Sequence, residues 1–332
     1  MKKRTPKHLR LQDVATLAGV SLTTASMYLN GKARKYKIAK ATCERIEQVI
    51  QDNNFVPNVH ARAIANKKTY LIGVLLSESL NKSFWIDLLT GVEEEISQSN
   101  YHPVISVSHR DPAREREALE FMQSKGVDGY VVAPILNEDD NNFPFLRKIA
   151  EDKPLVTLNC QIQGLSGASN DEDAGGAVVA EHFIAKGHKA VAYVGPLRRW
   201  TSRGISFMDT CKKAGVTVKS FSCIDLFLKH ADKYSAVFCC NDYVLAELYG
   251  KAATLGLKIP KDLSVAGYDD LDFVKLLAPR PTTVHTYKKE VGAAVGKKLM
   301  ELINAQNPCV SSYLFTPYLV PGASVADAVS KG

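Results

Sequence analysis

From residue 70 onward, the sequence alternates between short apolar runs and longer amphipathic stretches. The runs are YLIGVLL, PVISVSH, VDGYVVAP, PLVTLN, AVAYVG, AVFCC and LSVAGY, and segments such as WIDLLTGVEEEISQ and GGAVVAEHFIAKG separate them. Buried parallel strands read as near-continuous apolar runs, and helices connect them along the chain. The pattern therefore predicts an α/β body, and the number of runs favours two doubly wound lobes with parallel sheets over a single one.

Residues 1–70 differ from this body in their charge. They contain 14 Lys and Arg residues against 4 Asp and Glu residues, whereas the rest of the chain contains 28 against 31. A basic segment indicates a polyanionic partner, because Lys and Arg side chains that neutralise phosphates release condensed counterions. Charge alone leaves a solvated, solubilising N-terminus open as the alternative.

The segment DVATLAGVSLTTASMYLNGK predicts two helices joined by a tight turn. Leu11 to Ala18 has helical periodicity, Gly19 offers a left-handed turn, and Ser21 can cap a helix from Leu22 to Asn30. Small side chains let two crossed helices approach closely, as a helix-turn-helix requires. A third helix over about Lys40 to Asn53 would close the core. The predicted core residues are Val14, Val20, Ala25, Leu29, Ile46, Val49 and Ile50.

The second helix has a polar, neutral face that the core does not use. Its residues are Leu22, Thr23, Ser26, Met27 and Asn30, and the basic residues that follow are Lys32, Arg34, Lys35, Lys37 and Lys40. A helical hairpin on a domain surface would not explain why such a face is surrounded by cations. The pattern therefore predicts a domain that binds double-stranded DNA.

The same residues carry a resemblance to a known family. DVATLAGVSLTTASMYLNGK and NNFVPNVHARAIANKKTYLIGVLL, followed by PAREREALEFMQSKGVDGYVVAP, DEDAGG, AEHFIAKGHKAVAYVG, AVFCCND, IPKDLSVAGYDD and PRPTTV, resemble LacI/GalR-type bacterial transcription regulators. The resemblance covers essentially the whole chain. Within the family, TTASMYLNGKARKYKIA is most similar to the fructose repressor (Cra/FruR) branch.

The resemblance implies a helix-turn-helix head over residues 1–57, a hinge over 58–69 and a periplasmic-binding-protein-like body over 70–332. The body would have an N-lobe at about 70–168 and 287–317, and a C-lobe at about 169–286 and 318–332. It further implies a homodimer, with a tetramer as the alternative, that represses transcription from a pseudopalindromic operator. A small effector bound between the lobes would control the affinity for that operator.

In the head, the resemblance assigns roles to single residues. The positions that read base edges are Leu22 and Thr23, and those that hold phosphates or adjust the helix are Ser21, Thr24, Ser26 and Asn30. The basic residues Lys32, Arg34 and Lys35 would add contacts to the DNA. Met27 departs from the family, which usually has Arg there, and a methionine cannot donate a bidentate pair to guanine. The operator sequence of other members therefore does not transfer to this chain.

The segment PNVHARAIANKK begins at Pro57 and Asn58 and matches the hinge of the family. There it becomes a helix only on operator DNA, pairs with its dimer mate and inserts an apolar residue into the minor groove. Ile64 occupies the inserting position, where Leu is usual, and Ala61 would permit close helix contact. A flexible basic tether is the alternative.

Polar or small residues follow several predicted strands of the body, where open α/β sheets bind ligands. They are Ser77, Asn159, Gly195, Asn241 and Asp269. Each could instead be a turn residue or a helix cap. By resemblance, Arg203, Asn241 and Asp269 hydrogen-bond effector hydroxyls, Ser77 and Asn159 line the same cleft, and Phe84 and Trp85 offer rings for stacking. This set predicts a sugar or similar polyhydroxy effector.

Several departures from the family affect this prediction. Asn159 stands where Asp is common and Thr286 where Gln is common, and the stretch over 216–240 is about a dozen residues shorter than usual. Part of the effector wall is therefore expected to be missing. Arg198 and Arg199 in GPLRRWTSR suit a phosphorylated sugar, with a solvated basic loop as the alternative. Stacking on the two aromatic rings would instead suit a purine or nucleoside.

Other classes of protein lack support in the sequence. The start, MKKRTPKHLRLQ, has no apolar run of the secretory type, and no window reaches the roughly 18 apolar residues of a membrane span. We therefore expect a cytoplasmic protein without a membrane partner, and the basic head excludes a periplasmic sugar-binding protein. The 7 scattered cysteines are expected to be reduced thiols. No nucleotide-binding, nucleophile or metal motif suggests an enzyme, a cofactor or a metal site.

Overall fold

The computed structural model divides the chain into two compact units, Met1–Tyr70 and Leu71–Gly332. The structure describes residues 9–55, 68–136, 141–197, 202–305 and 309–328. Among these residues, no helix is both long enough and apolar enough to cross a lipid bilayer.

The first unit contains three helices in its described part: α1 (Leu11–Leu17), α2 (Leu22–Leu29) and α3 (Lys40–Asp52). Their bounds agree with the predicted helices to within one residue at each end. Gly19 has a φ of +62°, the left-handed conformation that the predicted turn requires.

The predicted core of this unit is confirmed. Buried Val14, Ala18 and Ile46 form its centre together with Phe55, which the sequence did not single out. The residues packed around them include Val20, Leu29, Val49 and Ile50. Ala25 is fully buried on the inner side of α2. Small side chains at the crossing therefore let the helices pack closely.

The second unit alternates strands and helices. In chain order its elements are β1 (Leu71–Leu76), α4 (Ser83–Ser97), β2 (His102–Val107), α5 (Pro112–Ser124), β3 (Gly129–Ala133), α6 (Phe143–Asp152), β4 (Leu155–Leu158), β5 (Ser166–Asn170), α7 (Glu172–Ala185), β6 (Ala190–Val194), α8 (Arg203–Lys213), β7 (Thr217–Phe221), α9 (Ile224–Leu228), β8 (Ala236–Cys239), α10 (Asp242–Leu255), β9 (Ser264–Ala266), β10 (Thr283–His285), α11 (Lys288–Asn304), β11 (Ser312–Phe315) and β12 (Tyr318–Val320). Short 3₁₀ helices lie at Ala231–Lys233 and Asp272–Leu276.

These strands form two parallel sheets and one small antiparallel pair. The first sheet has the order β11-β5-β4-β3-β1-β2 and the second the order β7-β6-β8-β9. Every named pair within both sheets is parallel, whereas β10 and β12 pair antiparallel. The predicted body of two parallel α/β sheets is therefore confirmed, and all seven apolar runs are strands.

Two helix–helix contacts of the second unit, that of α4 with α11 and that of α7 with α8, depend on glycine. A Cβ on Gly91 of α4 would overlap the backbone carbonyl of Lys289 in α11, and one on Gly292 would overlap that of Leu88. A Cβ on Gly176 of α7 would overlap the carbonyl of Arg203 in α8. Any larger residue at these positions would force the paired helices apart.

Candidate functional site

The head presents the first half of the predicted site. Ser21 caps α2, because its Oγ accepts the backbone N–H of Thr24 at 3.1 Å, and the two hydroxyl oxygens lie 2.8 Å apart. Leu22 and Thr23 follow this cap and are exposed, with Leu22 45% accessible. An exposed leucine and threonine at the start of a capped helix suit contact with base edges and phosphates.

The end of α2 is held by its own side chains. The Asn30 amide donates to the Ser26 carbonyl oxygen at 2.8 Å and to Ser26 Oγ at 3.3 Å. Met27 is half-buried between them. Tyr28 donates its hydroxyl to Glu47 of α3 at 2.6 Å, which fixes α2 against the third helix.

The basic residues after α2 lie on an ordered turn. Backbone hydrogen bonds from Lys32 N–H to the Met27 carbonyl (2.9 Å) and from Ile38 N–H to the Ala33 carbonyl (2.9 Å) close it at both ends. Lys32, Arg34 and Lys35 are exposed on this turn. The cations therefore stand on a defined backbone next to the exposed face of α2. The predicted hinge residues Asn58, Ala61 and Ile64 lie outside the described residues.

The second half of the predicted site is a cavity of about 800 Å³ in the body. It opens at the carboxyl ends of strands from both parallel sheets, where the sequence predicted a ligand. The seven predicted effector residues all line it: Ser77, Phe84, Trp85, Asn159, Arg203, Asn241 and Asp269. Gly195 follows β6 with a φ of +150°, and Cys240 packs against it.

Arg203 is the most constrained residue of the cavity wall. Its Nη2 donates to Glu172 Oε1 at 2.7 Å and its Nε donates to the other carboxylate oxygen, while Nη1 donates to the Cys240 carbonyl at 2.9 Å. The guanidinium carbon lies 3.8 Å from the centroid of the Tyr268 ring. Burial alone would lower the pKa of this guanidinium, but Glu172, Tyr268 and Asp269 raise it well above its usual value.

Asp269 has a buried side-chain acceptor, Oδ1, that makes no hydrogen bond with the described residues. The residue is 5% exposed, and its Oδ1 lies 3.7 Å from Arg203 Nη1. Its backbone carbonyl accepts the ammonium of buried Lys288 at 2.5 Å, which fixes the loop. Burial raises the pKa of Asp269 to about 7, against the lowering influence of Arg203 and Lys288. A ligand that donates a hydroxyl or N–H here would satisfy a buried acceptor.

Asp242 supports this loop from behind the cavity. It is fully buried, and it accepts the Leu271 N–H at 2.9 Å and the Thr283 hydroxyl at 2.8 Å. Burial and the neighbouring Asp269 raise the pKa of Asp242 to about 7. Asn241, which immediately precedes Asp242, lines the cavity and caps α10 by accepting the Val244 N–H at 3.0 Å.

The opposite wall holds a second charged cluster. Glu78 accepts Lys82 Nζ at 2.7 Å and also accepts the guanidinium of Arg110. Burial alone would raise the pKa of Glu78, but the hydrogen bonds from these two cations lower it. All three side chains line the cavity, and none was predicted from the sequence.

Aromatic side chains form the mouth of the cavity. The Phe84 and Trp85 rings meet edge to face with centroids 5.4 Å apart. Across the mouth, the Tyr243 hydroxyl accepts the backbone N–H of Ser83 at 2.9 Å and lies 3.2 Å from Ser83 Oγ. Tyr243 belongs to α10 and Ser83 to α4, so this contact joins elements that pack on different sheets.

The departures noted in the sequence have structural counterparts. Thr286 is buried behind the wall, where its hydroxyl donates to the Asp269 carbonyl at 3.4 Å, and it does not line the cavity. The shortened stretch forms β7, the five-residue helix α9 and a 3₁₀ turn, and none of residues 216–239 lines the cavity. Arg198 and Arg199 lie outside the described residues.

Seven residues that line the cavity and pair with other groups of the protein were not predicted from the sequence. They are Glu78, Lys82, Arg110, Glu172, Tyr193, Cys240 and Tyr243. Tyr243 could have been suspected, because it lies close to the end of a predicted strand, in CCNDY. Nothing in the sequence indicates that Glu78 and Arg110 meet across 32 positions.

Comparison with known proteins follows the same division of the chain. Residues 10–58 match the model of bacterial regulatory proteins of the lacI family, and residues 180–325 match the periplasmic binding protein-like domain. Relatives include an HTH-type transcriptional repressor PurR from Photobacterium profundum, 28% identical, and a ribose operon repressor from Haemophilus influenzae, 24% identical. The alignments cover 96% and 95% of this chain and 98% of each relative.

Solved structures share the fold over nearly the same length. A lac repressor dimer bound to operator and the anti-inducer ONPF superposes with a TM-score of 0.85 at 21% identity, over 96% of this chain and 100% of that one. A transcriptional regulator CelR–cellobiose complex gives 0.69 at 22% identity, over 95% and 99%. The matching relatives are transcriptional repressors rather than enzymes. With its helix-turn-helix head and its two-sheet body, this chain is similar over nearly its whole length to HTH-type transcriptional repressors, and its residues 10–58 match the lacI family of bacterial regulatory proteins.

Proposed function

We propose that the protein represses transcription by binding a pseudopalindromic operator as a homodimer, and that a small effector in the body cleft controls this binding. One observation carries the proposal: the chain joins an ordered DNA-reading helix to a cavity lined by all seven predicted effector residues. A tetramer built from two such dimers is the alternative assembly. The protein would act on chromosomal DNA in the bacterial cytoplasm.

On this proposal, each head reads one half-site in the major groove. Leu22, Thr23 and Met27 contact base edges, and the capped N-terminus of α2 at Ser21 faces a phosphate. Residues that hold the backbone or adjust the helix are Thr24, Ser26, Asn30, Lys32, Arg34 and Lys35. A leucine and a methionine contact thymine methyl groups and exclude water, so base choice at those steps depends on shape and apolar contact.

We further propose that residues 58–69 form the hinge and that 70–332 form an N-lobe and a C-lobe around the cleft. Asn58, Ala61 and Ile64 would pair with the hinge of the second subunit and bend the operator at its centre. An effector that binds one relative orientation of the lobes more tightly shifts the population of hinge spacings, and thus the operator affinity. The effector is an inducer if it weakens operator binding and a corepressor if it strengthens it.

A small sugar is the effector class that suits the cleft best. The cavity combines carboxylate, amide and hydroxyl groups with an aromatic rim, as polyhydroxy ligands require. Relatives and neighbours point the same way: one is named a ribose operon repressor, and one regulator from Enterococcus faecium was solved with bound ribose, at 21% identity and a TM-score of 0.68 over 78% of this chain. A sugar phosphate is the variant of this proposal that Arg198 and Arg199 would support.

A purine or nucleoside is the second candidate. The aromatic rings of Phe84 and Trp85 line the cavity, and several relatives are repressors named PurR. Stacking on such rings is tolerant of ring type but requires a flat ligand. The extra basic residues of TTASMYLNGKARKYKIA support a separate proposal, that the head belongs to the fructose repressor branch of the family.

The test has two stages and uses the full-length protein. Selection from random double-stranded DNA should enrich a pseudopalindrome, and Leu22→Ala should weaken binding to it much more than Glu117→Gln, which changes an exposed residue of the body. Fluorescence anisotropy of that operator, titrated with sugars, sugar phosphates and nucleobases, should then identify one class that changes operator affinity. Enrichment of no sequence, or enrichment that is equal in the Leu22 variant, would contradict the proposal.

A further inference from the structure

The charged side chains that line the cavity fall into two separate clusters, which together hold three cations and three carboxylates. Among the described residues of the lining there are six of them: Glu78, Lys82 and Arg110 on one wall, and Glu172, Arg203 and Asp269 on the other. Every cation of the set has a carboxylate within hydrogen-bond or ion-pair distance. The cleft therefore presents three positive groups, and each of them already has a carboxylate neighbour, which Lys82 and Arg110 share.

Glu172 neutralises the arginine that would otherwise bind an anion. Its two oxygens accept the Nε and Nη2 edge of Arg203, which is the fork that a carboxylate or phosphate ligand would use. The side chains of Arg203 and Glu172 are only 12% and 18% exposed, so water does little to screen the pair. An anionic ligand would have to displace a buried carboxylate or lie beside it, and both cost free energy.

Glu78 is the corresponding carboxylate of the cluster on the opposite wall. It holds both Lys82 and Arg110, and its side chain is 18% exposed. A phosphate approaching either cation would meet this carboxylate at close range. Glu172 and Glu78 thus place a negative charge beside every cation in the described lining of the cavity.

The unpaired carboxylate oxygen of Asp269 requires a hydrogen-bond donor rather than an anion. Asp269 lines the cavity, and its buried Oδ1 has no hydrogen-bond partner among the described residues. An ordinary hydroxyl satisfies it, whereas a phosphate oxygen would repel it. The ligand must therefore supply a hydrogen-bond donor to Asp269 rather than a negative charge.

We propose that Glu172 and Glu78 are specificity-determining residues, which make the cleft select an uncharged polyhydroxy ligand over its phosphorylated counterpart. This inference rests on the proposed function, since it names the charge of the effector that binds the same cleft. Among the described residues of the lining, it argues against the sugar phosphate variant given above.

The experiment uses inorganic phosphate as the probe and Trp85 as the reporter. The sequence has 2 tryptophans, so full-length protein with Trp200→Phe has Trp85 as its only tryptophan, and Trp85 lines the cavity. Phosphate is titrated at constant ionic strength, with chloride exchanged for it, into this parent and into the parent with Glu172→Gln or Glu78→Gln. Glu117→Gln, on the exposed side of α5, removes one negative charge elsewhere and is the matched control. Far-ultraviolet circular dichroism checks that each variant is folded.

We expect phosphate to leave the fluorescence of the parent and of Glu117→Gln unchanged. Glu172→Gln should give a saturable change, with phosphate bound roughly tenfold or more tightly than by the parent, because a freed guanidinium can form a charge-assisted pair. Adding Arg203→Met to Glu172→Gln should abolish that gain. Glu78→Gln tests the other wall independently, should the Glu172 variant fail to fold.

Two results would overturn the inference. One is saturable phosphate binding by the parent with the affinity of the Glu172 variant, and the other is no gain of phosphate affinity in any folded variant. Free and phosphorylated ribose or glucose extend the test, since in any pair that binds, the phosphorylated member must be the weaker. Failure of the proposed function is distinct, because it would appear as operator binding that no ligand changes, whatever the phosphate titrations give.

Discussion

Replacing Asp269 by asparagine should stabilise the protein at neutral pH while weakening its response to the effector. Asp269 is 5% exposed, and its φ of +104° is a conformation that Asn tolerates as well as Asp does. The substitution keeps the size of the side chain and removes only the ability to ionise. It therefore separates the cost of burying this carboxyl from its use in binding a ligand.

The expected gain follows from the pKa of Asp269. Burial raises the pKa of this carboxyl from 3.8 to about 7. The native state then binds more protons than the unfolded state between about pH 4 and pH 7, so the free energy of unfolding decreases as pH rises through this interval and is constant above it. Since one pKa unit corresponds to about 1.4 kcal/mol, the full cost is on the order of 4 kcal/mol. The neutral amide avoids this cost, so the gain of the variant should approach that value at pH 8 and vanish below pH 4.

Urea denaturation from pH 4 to pH 8, followed by tryptophan fluorescence, measures this difference directly. Asp242→Asn is the control, because the pKa of Asp242 is also raised to about 7 while the residue does not line the cavity. That variant should gain less, since Asp242 accepts two hydrogen bonds and an amide can accept only at its oxygen. Asp269→Asn should also raise the effector concentration needed to change operator affinity by roughly tenfold or more, whereas Asp242→Asn should do so less. An Asp269→Asn protein that is less stable than the parent at pH 8, or that keeps the parent's pH dependence, would refute this reasoning.

Three further substitutions test other parts of the protein. Tyr243→Phe removes the hydroxyl that accepts the Ser83 N–H across the cavity mouth, so the effector concentration for half-maximal response should rise roughly two- to tenfold in the anisotropy titration while operator affinity without effector is unchanged. Met27→Arg restores a bidentate donor, so selection from random DNA should enrich a guanine at one symmetric position that the parent does not select. Ile64→Gly should lower operator affinity and leave effector affinity nearly unchanged, and loss of both would mean that the hinge is assigned wrongly.

The fold could be predicted wherever burial leaves an apolar run in the sequence. The seven predicted strands are β1 to β4, β6, β8 and β9, all of which form ladder pairs with parallel neighbours. Strand β5 was missed because it reads SGASN, although every one of its residues is buried. A Cβ on its Gly167 would overlap the Thr157 hydroxyl, so close packing there demands small residues rather than apolar ones. Edge strand β7 was missed for the opposite reason, since TVKSF is half-exposed and carries no apolar run.

The candidate site was predictable only at the positions that the resemblance covers. Strand ends of one parallel sheet lie at the same edge, which places Ser77 near Asn159, whereas only the resemblance placed Asn241, from the other sheet, in the same cleft. The pair between Arg203 and Glu172 depends instead on how closely α7 approaches α8, and Gly176 sets that distance. Nothing in a linear sequence connects those two residues before the helices are packed, so the neutralisation of Arg203 emerged only from the structure.

Salt concentration should affect operator affinity and effector affinity differently, because only operator binding depends on exposed cations. Exposed Lys32, Arg34 and Lys35 beside α2 would release counterions from DNA, so operator affinity should fall steeply and linearly on logarithmic axes as salt increases. In the cleft the cations are already paired with buried carboxylates, and the open acceptor of Asp269 needs only a hydrogen bond. Effector affinity should therefore change little between low and physiological ionic strength, where exposed charges are increasingly screened. Titration of effector by tryptophan fluorescence and of operator by anisotropy, each across the same salt series, measures the two slopes. A slope for the effector as steep as that for the operator would mean that the ligand is charged, and that the carboxylates do not compensate the cations of the cleft.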